Sequence, residues 1–336
     1  MRYAYIDNLR GLAILLVVLG HVIQYIVFPE SFDNNTIFRL IYSFHMPLFF
    51  FISGMTTPYK FTSWDQNVTN KIIKRFKQLI IPFVLWRLIV WIPFSHDSFI
   101  NLFIYPDNGL WFLWVLFWDY LLYQVIINAS AYLNIRPIIS LSIVYVLLRV
   151  LSIILGGAIW GIGMISNFFL YFFVGSYVGQ FKGQIPLLKS KKVLLILTTI
   201  GFIFLSSCWY RVVSAIPEDF PTWAVLLNKI PLFSIVTAMT GIFMLVFLII
   251  LLSSQIELKF FEYFGKCTLG VYAIHQTLLW LLEFLSTKRS YMRSFFETLS
   301  SVGIICNFAI VLALTMVVYQ ILSINKFTCK LLLGKD

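Results

Sequence analysis

An arginine and a histidine at a fixed spacing near the amino terminus are the first residues in the sequence that suggest chemistry. His21 follows Arg10 by eleven residues, within a largely apolar run. In an α-helix this spacing is about three turns and about 16 Å, so both side chains project from one face. A buried neutral imidazole can accept a proton, and a guanidinium can bind a phosphate or a carboxylate. Asp7 precedes Arg10 by three residues and is placed to pair with it and orient it.

The buried histidines also have a purely structural interpretation. The structural alternative for His21 is that of a core histidine that bonds a neighbouring backbone carbonyl group. His45 precedes Pro47, which interrupts helical hydrogen bonding, so His45 either bonds a freed carbonyl group or faces the same cavity as His21. The position of His275 in a late apolar run leaves packing and substrate contact equally open.

The composition indicates that these residues lie in a membrane protein. The 336 residues are 60% hydrophobic and only 12% charged, whereas soluble domains carry about 25% charged residues. This excludes a soluble enzyme, a disordered chain, a disulfide scaffold and a nucleic-acid-binding module. The net charge of +11 fits cytoplasmic loops that contact anionic membrane lipid. An ionisable side chain inside a span is costly, so each one is a functional hypothesis.

Ten apolar runs are long enough to cross a bilayer, which predicts an all-α integral membrane bundle of about ten transmembrane helices. They lie near 9–28, 38–58, 79–94, 109–129, 138–156, 163–181, 192–208, 228–252, 268–286 and 300–322. Basic residues concentrate in alternate connections, which predicts that both termini are cytoplasmic. Arg10 then lies near the inner interface and His21 close to mid-membrane. No connection is long enough for a second domain, so residues 1–336 are predicted to form one membrane-embedded domain without an extra soluble domain.

A basic segment follows the second predicted span. The sequence KIIKRFKQ places Lys71, Lys74, Arg75 and Lys77 in the predicted loop before the third span. One interpretation is an anchor to anionic lipid headgroups. The other is an electrostatic mouth for a cytosolic, phosphate-bearing donor such as coenzyme A.

Five sequence blocks, in this order, resemble the bacterial acyltransferase 3 family of integral-membrane O-acyltransferases. The blocks are IDNLRGLAILLVVLGH, FHMPLFFFISG, the basic segment that ends in a proline before VLW, LWFLWVLF and FGKCTLGVYAIH, and they extend over essentially the whole chain. The branch described as fucose O-acetylase-like is the most similar. The resemblance implies a multi-pass enzyme of the inner (plasma) membrane. It would transfer an acyl group, usually acetyl, from acyl-coenzyme A to a hydroxyl of a surface glycan or its lipid-linked precursor.

The resemblance also implies roles for individual residues. The catalytic residues of the family correspond to Arg10 and His21, and Asp7 is included as the partner of Arg10. The family has a basic Arg-x-x-Arg motif before the third span. Here Arg75 matches the first position, but Gln78 occupies the second.

The substrates are expected on two groups of residues. Lys74, Arg75 and His275 are predicted to bind the donor, whereas His45, Asn108 and Trp111 are predicted to line the acceptor pocket, because aromatic faces suit sugar rings. Interfacial anchoring is the alternative for the block NGLWFLW.

The predicted chemistry requires little beyond these side chains. His21 either deprotonates the acceptor hydroxyl directly or activates an intermediate nucleophile. Because an acyl thioester is already activated, no metal and no cofactor are expected, and acyl-coenzyme A is a co-substrate.

Two other functions are compatible with parts of the sequence. A polytopic transporter or exporter of a glycan or small metabolite also has many spans and buried charges. The sequence shows no clear internal repeat, and its polar signals concentrate in the first quarter, which favours the enzyme. A structural or sensory membrane subunit would not require Arg10 and His21 on one face.

Overall fold

The computed structural model describes residues 3–58, 66–94, 100–106, 109–288 and 302–335. All the regular structure in these ranges is helical, and the helices are connected by short turns. The α-helices are α1 Ala4–Val22, α2 Thr36–Tyr42, α3 His45–Met55, α4 Gln66–Phe94, α5 Asn101–Ile104, α6 Trp111–Tyr132, α7 Pro137–Ile154, α8 Ile162–Val178, α9 Lys191–Ser207, α10 Thr222–Asn228, α11 Pro231–Ser253, α12 Lys259–Lys288, α13 Ile304–Ile324 and α14 Lys326–Leu332.

Local sequence signals explain where several of these helices begin. The Asn35 side chain caps α2 by accepting a hydrogen bond from the Phe38 backbone N–H at 3.0 Å. Pro137 and Pro231 occupy the first turns of α7 and α11, where the missing N–H of proline leaves no helical bond unmade. Between these ends the helices pair their own backbone N–H and C=O groups, as a membrane span requires. Long runs of Leu, Ile and Phe provide the apolar side chains.

Seven helical segments in the described residues are long and apolar enough to cross a membrane. They are Ala4–Val27, Thr36–Met55, Trp111–Tyr132, Pro137–Ile154, Ile159–Phe181, Pro231–Ser253 and Ile304–Ile324. The predicted runs at 79–94, 192–208 and 268–286 also fall on helices, namely α4, α9 and α12. The all-helical membrane class is therefore confirmed, whereas the count of ten spans and the cytoplasmic termini stay predictions.

The chain divides into two compact units. The first contains Met1–Phe49 and Lys182–Met316, and the second contains Phe50–Phe181 and Val317–Asp336. The prediction that the whole chain forms one domain stays a prediction.

The first unit is organised around a close backbone contact between α1 and α12. A Cβ atom added to Gly11 would lie 1.8 Å from the carbonyl oxygen of Phe261, and one added to Gly265 would lie 2.0 Å from that of Asp7. Only glycine allows two helix backbones to approach so closely, which is the usual use of small residues between membrane helices. Helices α2 and α11 also pack against α1, and α9 packs against α11.

Helices α1 and α12 run parallel. Gly11 faces Gly265, and ten residues further along each helix His21 faces His275. Contacts that advance together along both helices require the same chain direction. This is the relation that the ten-span prediction gives to the first and ninth spans.

The second unit contains its own glycine contact. Cβ atoms added to Gly54 and Gly175 would lie 2.0 Å and 2.1 Å from carbonyl oxygens of the opposite helix, so α3 and α8 touch through their backbones. The spacing of Gly175 and Gly179 predicts helix packing, and this is confirmed. The same prediction for Gly157 and Gly161 is wrong, because both adopt a left-handed conformation, with φ of 78° and 69°, in the turn between α7 and α8.

The structure also corrects the predicted loop before the third span. Helix α4 begins at Gln66, so the basic residues Lys71, Lys74, Arg75 and Lys77 lie on a helix. The physical reason is that no glycine or proline interrupts residues 66–81. Lys, Arg and Gln are also good helix formers.

Replacement of Gly11 by alanine tests the contact between α1 and α12. Gly11→Ala places a methyl group where the Phe261 carbonyl lies, so the helices must separate. We expect the free energy of unfolding to fall by about 1–3 kcal/mol. Thermal unfolding of the purified protein in detergent measures the effect. Gly201→Ala is the matched control, because its Cβ would lie at an ordinary 3.8 Å from the nearest atom, a Thr240 methyl group. Equal melting temperatures for the two variants would contradict this role of Gly11.

Candidate active site

The polar residues at the start of α1 form an ion pair. The Arg10 guanidinium lies 3.4 Å from the Asp7 carboxylate, and the Arg10 side chain remains 29% exposed while that of Asp7 is 4% exposed. The predicted pairing of Asp7 with Arg10 is therefore confirmed. The buried carboxylate orients the guanidinium, and an oriented guanidinium is a group suited to binding an anion.

His21 forms a pair with the histidine of α12. Its Nδ1 atom lies 3.0 Å from Nε2 of His275, and Nδ1 of His275 lies 2.7 Å from the carbonyl oxygen of Val271. A carbonyl oxygen only accepts hydrogen bonds, so Nδ1 of His275 carries a proton and donates. Nε2 of neutral His275 is then an acceptor, and Nδ1 of His21 must donate to it. In neutral His21 the remaining nitrogen, Nε2, therefore carries a free lone pair.

The two imidazoles differ in how far they are buried. His275 is fully buried, whereas His21 is only partly buried. Their rings stack at a centroid distance of 5.2 Å and an interplanar angle of 21°. His21 is therefore the more accessible member of the pair, and the hydrogen bond to His275 fixes the orientation of its ring.

A tyrosine of α2 completes the surroundings of His21. The Tyr42 ring lies 6.4 Å from the His21 ring, and the Tyr42 hydroxyl donates a 2.6 Å hydrogen bond to the Gln24 side chain. Gln24 lies in a π-helical turn, Ile23–Val27, that directly follows α1. Such turns are frequent at functional sites because they reorient side chains within a continuous helix. The sequence analysis did not identify Tyr42, Gln24 or this turn.

His45 lies beside this group and bonds a backbone carbonyl group, although not that of Ser43, which is the one that Pro47 deprives of its helical N–H partner. Its Nδ1 atom donates to the carbonyl oxygen of Ile41 at 2.8 Å, across the break between α2 and α3. The break lies just before Pro47, whose ring cannot follow an unbroken helix. The His45 ring is 4.6 Å from the Tyr42 ring, so His21 and His45 both neighbour Tyr42. The predicted role of His45 in binding the acceptor stays a prediction.

Gln276 is a further polar residue of the first unit that sequence analysis did not single out. It is 1% exposed, and neither its amide oxygen nor its amide nitrogen has a hydrogen-bond partner in the described part of the chain. A buried amide without partners costs about 1–3 kcal/mol for each unsatisfied group. Its position next to His275 in the sequence was the available signal.

The remaining predicted site residues lie elsewhere. Lys74 and Arg75 belong to the second unit, where Arg75 donates to Gln78 at 3.3 Å and lies 5.6 Å from the centre of the Tyr120 ring. Trp111 begins α6 and stacks on Phe168 at 5.2 Å. Asn108 lies outside the described residues.

The structure thus brings two predicted residues of different roles, His21 and His275, into direct contact. Within the described ranges, His, Cys, Asp and Glu side chains form no group of three that could hold a metal ion.

Two curated relatives match part of the chain. The nodulation protein NolL of Mesorhizobium japonicum is 30% identical over 131 residues, which cover 36% of this chain and 35% of the relative. The NolL protein of Sinorhizobium fredii is 31% identical over 129 residues, which cover 34% of each chain. The matched region therefore spans about a third of the length of these relatives. No solved structure matches the chain.

A family comparison extends over nearly the full length. The sequence profile of the acyltransferase 3 family, described as an acyltransferase domain, matches residues 3–323. This range includes Arg10, His21 and His275, the residues from which the site is built. The chain belongs to the acyltransferase 3 family.

Proposed function

We propose that this protein is a multi-pass O-acyltransferase of the inner (plasma) membrane. It moves an acyl group, acetyl in the simplest case, from acyl-coenzyme A to a hydroxyl of a surface polysaccharide or its lipid-linked precursor. Family membership supports the reaction class. The observation that carries the proposal is the hydrogen-bonded chain from Val271 through His275 to His21, which leaves Nε2 of His21 as a proton acceptor.

In the proposed reaction, His21 acts as the general base. Nε2 of His21 takes the proton of the acceptor hydroxyl as the oxygen attacks the thioester carbonyl carbon. The carbon–sulfur bond then breaks, and the proton passes from His21 to the departing thiolate. The products are the acyl ester of the acceptor and free coenzyme A thiol. Acyl-coenzyme A is a co-substrate, and the proposal requires no cofactor, because the thioester is already activated.

His275 acts as a positioning residue in this mechanism. Its Nε2 accepts from Nδ1 of His21 whether His21 is neutral or protonated, so it fixes one orientation of the ring throughout the reaction. When His21 is protonated, the same hydrogen bond becomes charge-assisted and stabilises the imidazolium. A carboxylate holds the catalytic histidine of serine proteases in a comparable way.

Cationic side chains are proposed to contact the phosphates of the donor. In the first unit, Arg10 is partly buried and Asp7 orients it. Lys74 is exposed and Arg75 is partly buried on α4, and their charges suit the phosphates of coenzyme A. His275, by contrast, is fully buried against His21, and this contact supports a positioning role more directly than the predicted role in donor binding.

Removal of the base or of its cationic neighbour tests the proposed chemistry. We expect His21→Ala to lower acyl transfer by at least about 100-fold, the contribution usual for a positioned base, and Arg10→Ala to lower acyl transfer because the donor loses a cationic contact. The measurement is thioester-dependent release of free thiol by the purified protein with a glycan acceptor. Leu19→Ala, at a partly buried position on the same helix, controls for lost packing. Full activity of either site variant at normal membrane abundance would overturn the proposed site.

Substitution of His275 separates positioning from donor binding. His275→Phe removes the acceptor for Nδ1 of His21, and we expect kcat to fall about 10- to 100-fold with little change in the donor KM. His275→Gln offers an amide oxygen to the same proton, so it should recover much of the lost kcat. A raised donor KM with unchanged kcat in His275→Phe would instead support the donor-binding role.

Removal of the positive charge of Arg75 on α4 tests its proposed contact with the donor. We expect Arg75→Ala to raise the KM for acyl-coenzyme A about ten-fold, which corresponds to about 1.4 kcal/mol of binding, with kcat nearly unchanged. Lys77→Ala is the matched control, because two residues place Lys77 about 200° around the helix from Arg75. Steady-state kinetics at varied donor concentration give both constants. Equal KM values in the two variants would remove Arg75 from the donor site.

A further inference from the structure

A cavity of about 360 Å³ lies in the first unit between two connecting segments. Its lining consists of Glu30, Ser31, Phe32, Asp33, Asn34, Ser214, Ala215, Ile216 and Pro217. One segment follows the π-helical turn at the end of α1, and the other follows α9. Both belong to connections that the charge distribution predicts to be extracytoplasmic.

An ion pair joins the two walls of this cavity. The Arg211 guanidinium donates to both carboxylate oxygens of Asp33, at 3.1 Å and 3.3 Å. Two parallel hydrogen bonds of this kind fix orientation as well as distance. The same guanidinium lies over the Phe32 ring, 5.1 Å from its centre. The cavity therefore has walls that are held together by defined contacts.

The lining has the chemistry of a site for an uncharged, hydroxyl-rich ring. Two carboxylates, one amide and two hydroxyl groups offer hydrogen-bond partners, while Phe32, Ile216 and Pro217 provide apolar surface. A sugar ring presents hydroxyl groups at its edge and C–H groups on its faces. Asp33 is already paired with Arg211, so the charge that disfavours an anion is the carboxylate of Glu30, and an acidic sugar suits the cavity less well than a neutral or amino sugar.

A continuous series of aromatic rings connects the cavity to His21. Phe32 meets Phe38 edge to face at 5.0 Å, Phe38 stacks on Tyr42 at 3.8 Å, and Tyr42 lies 6.4 Å from the His21 ring. A sugar ring is about the size of one of these rings. His21 does not belong to the lining of the cavity, so a sugar in the cavity lies apart from the proposed base and is connected to it through these rings.

We propose that this cavity is a subsite for a neutral or amino sugar unit that neighbours the acylated unit in the acceptor. The inference rests on the proposed function, because it uses His21 as the point of acyl transfer. The subsite makes an oligosaccharide a better ligand than a single sugar. It also selects against acidic polymers.

Saturation-transfer NMR on the full chain in lipid nanodiscs tests the subsite without requiring catalysis. The probes are maltotriose and cellotriose as neutral trisaccharides, chitosan triose as the amino sugar, and trigalacturonate as the acidic one. We expect signals from at least one neutral or amino probe, and a signal about five-fold weaker from trigalacturonate. Ser214→Trp fills the cavity and should abolish the stronger signals. Thr222→Trp, at an exposed position after the same connecting segment, should leave them unchanged.

A second variant keeps the test informative if Ser214→Trp fails to fold. Glu30→Lys changes the charge of an exposed lining residue and should raise the trigalacturonate signal relative to the neutral ones. The subsite is refuted if no neutral or amino probe binds, if Ser214→Trp and Thr222→Trp bind equally, or if Glu30→Lys leaves the preference unchanged.

The same preparation separates this proposal from the proposed function. Saccharide binding that persists in His21→Ala, together with an absence of thiol release by the unaltered protein, would refute acyl transfer and leave the subsite standing. If Ser214→Trp releases thiol with a glycan acceptor at the same rate as the unaltered protein, acyl transfer is supported and the subsite is refuted.

Discussion

The backbone contact between α1 and α12 is the constraint on which the proposed site depends. At Gly11 and Gly265 the two helices leave no space for a Cβ atom, so their backbones touch directly, as only small residues allow. Because the helices run parallel, a second contact can form between residues that lie ten positions further along each helix, about 15 Å away. Those residues are His21 and His275. Short imidazole side chains meet there at 3.0 Å, so the glycine contact sets the register of the histidine pair.

Burial fixes which nitrogen donates and which accepts in the histidine pair. A buried polar group without a partner is costly, and in a span there is no bulk water to provide one. The Val271 carbonyl group, His275 and His21 satisfy one another in sequence, and the order is fixed because a carbonyl oxygen can only accept. The hydrogen-bond acceptor that remains available is Nε2 of His21, at the partly exposed end of this series. Gln276 departs from this rule, since its amide is buried without partners in the described residues.

The sequence predicts features that depend on neighbouring residues more reliably than features that depend on distant ones. Helical periodicity is local, so the common face of Arg10 and His21 and the pairing of Asp7 with Arg10 follow from spacing alone. The contact of His21 with His275 depends on how α1 and α12 pack, and no local pattern encodes it. The same holds for the cavity beside Glu30, whose walls come from two distant connections.

The incorrect local predictions have a different cause. Gly157 and Gly161 are four residues apart, which suits helix packing, but the same residue type also favours left-handed turns, and here the turn prevails. The basic segment with Lys74 and Arg75 was predicted as a loop because of its charge, although its residues favour a helix. In both cases the composition allowed two structures: the left-handed conformation of the glycines prevailed in the first, and the helix propensity of the residues prevailed in the second.

The distribution of groups along α1 suggests why a base in the last turn of this helix suits the proposed reaction. Coenzyme A carries charged phosphates, and a saccharide carries many hydroxyl groups, so neither enters a hydrocarbon layer without a large cost. The ion pair of Arg10 lies at one end of α1, and the cavity beside Glu30 follows the other end. His21 lies between them, eleven residues from Arg10. In the proposed reaction only the thioester end of the donor and one hydroxyl of the acceptor have to reach His21, whereas the phosphates and the rest of the saccharide can stay on their own sides, and the base is required where the two reacting groups meet.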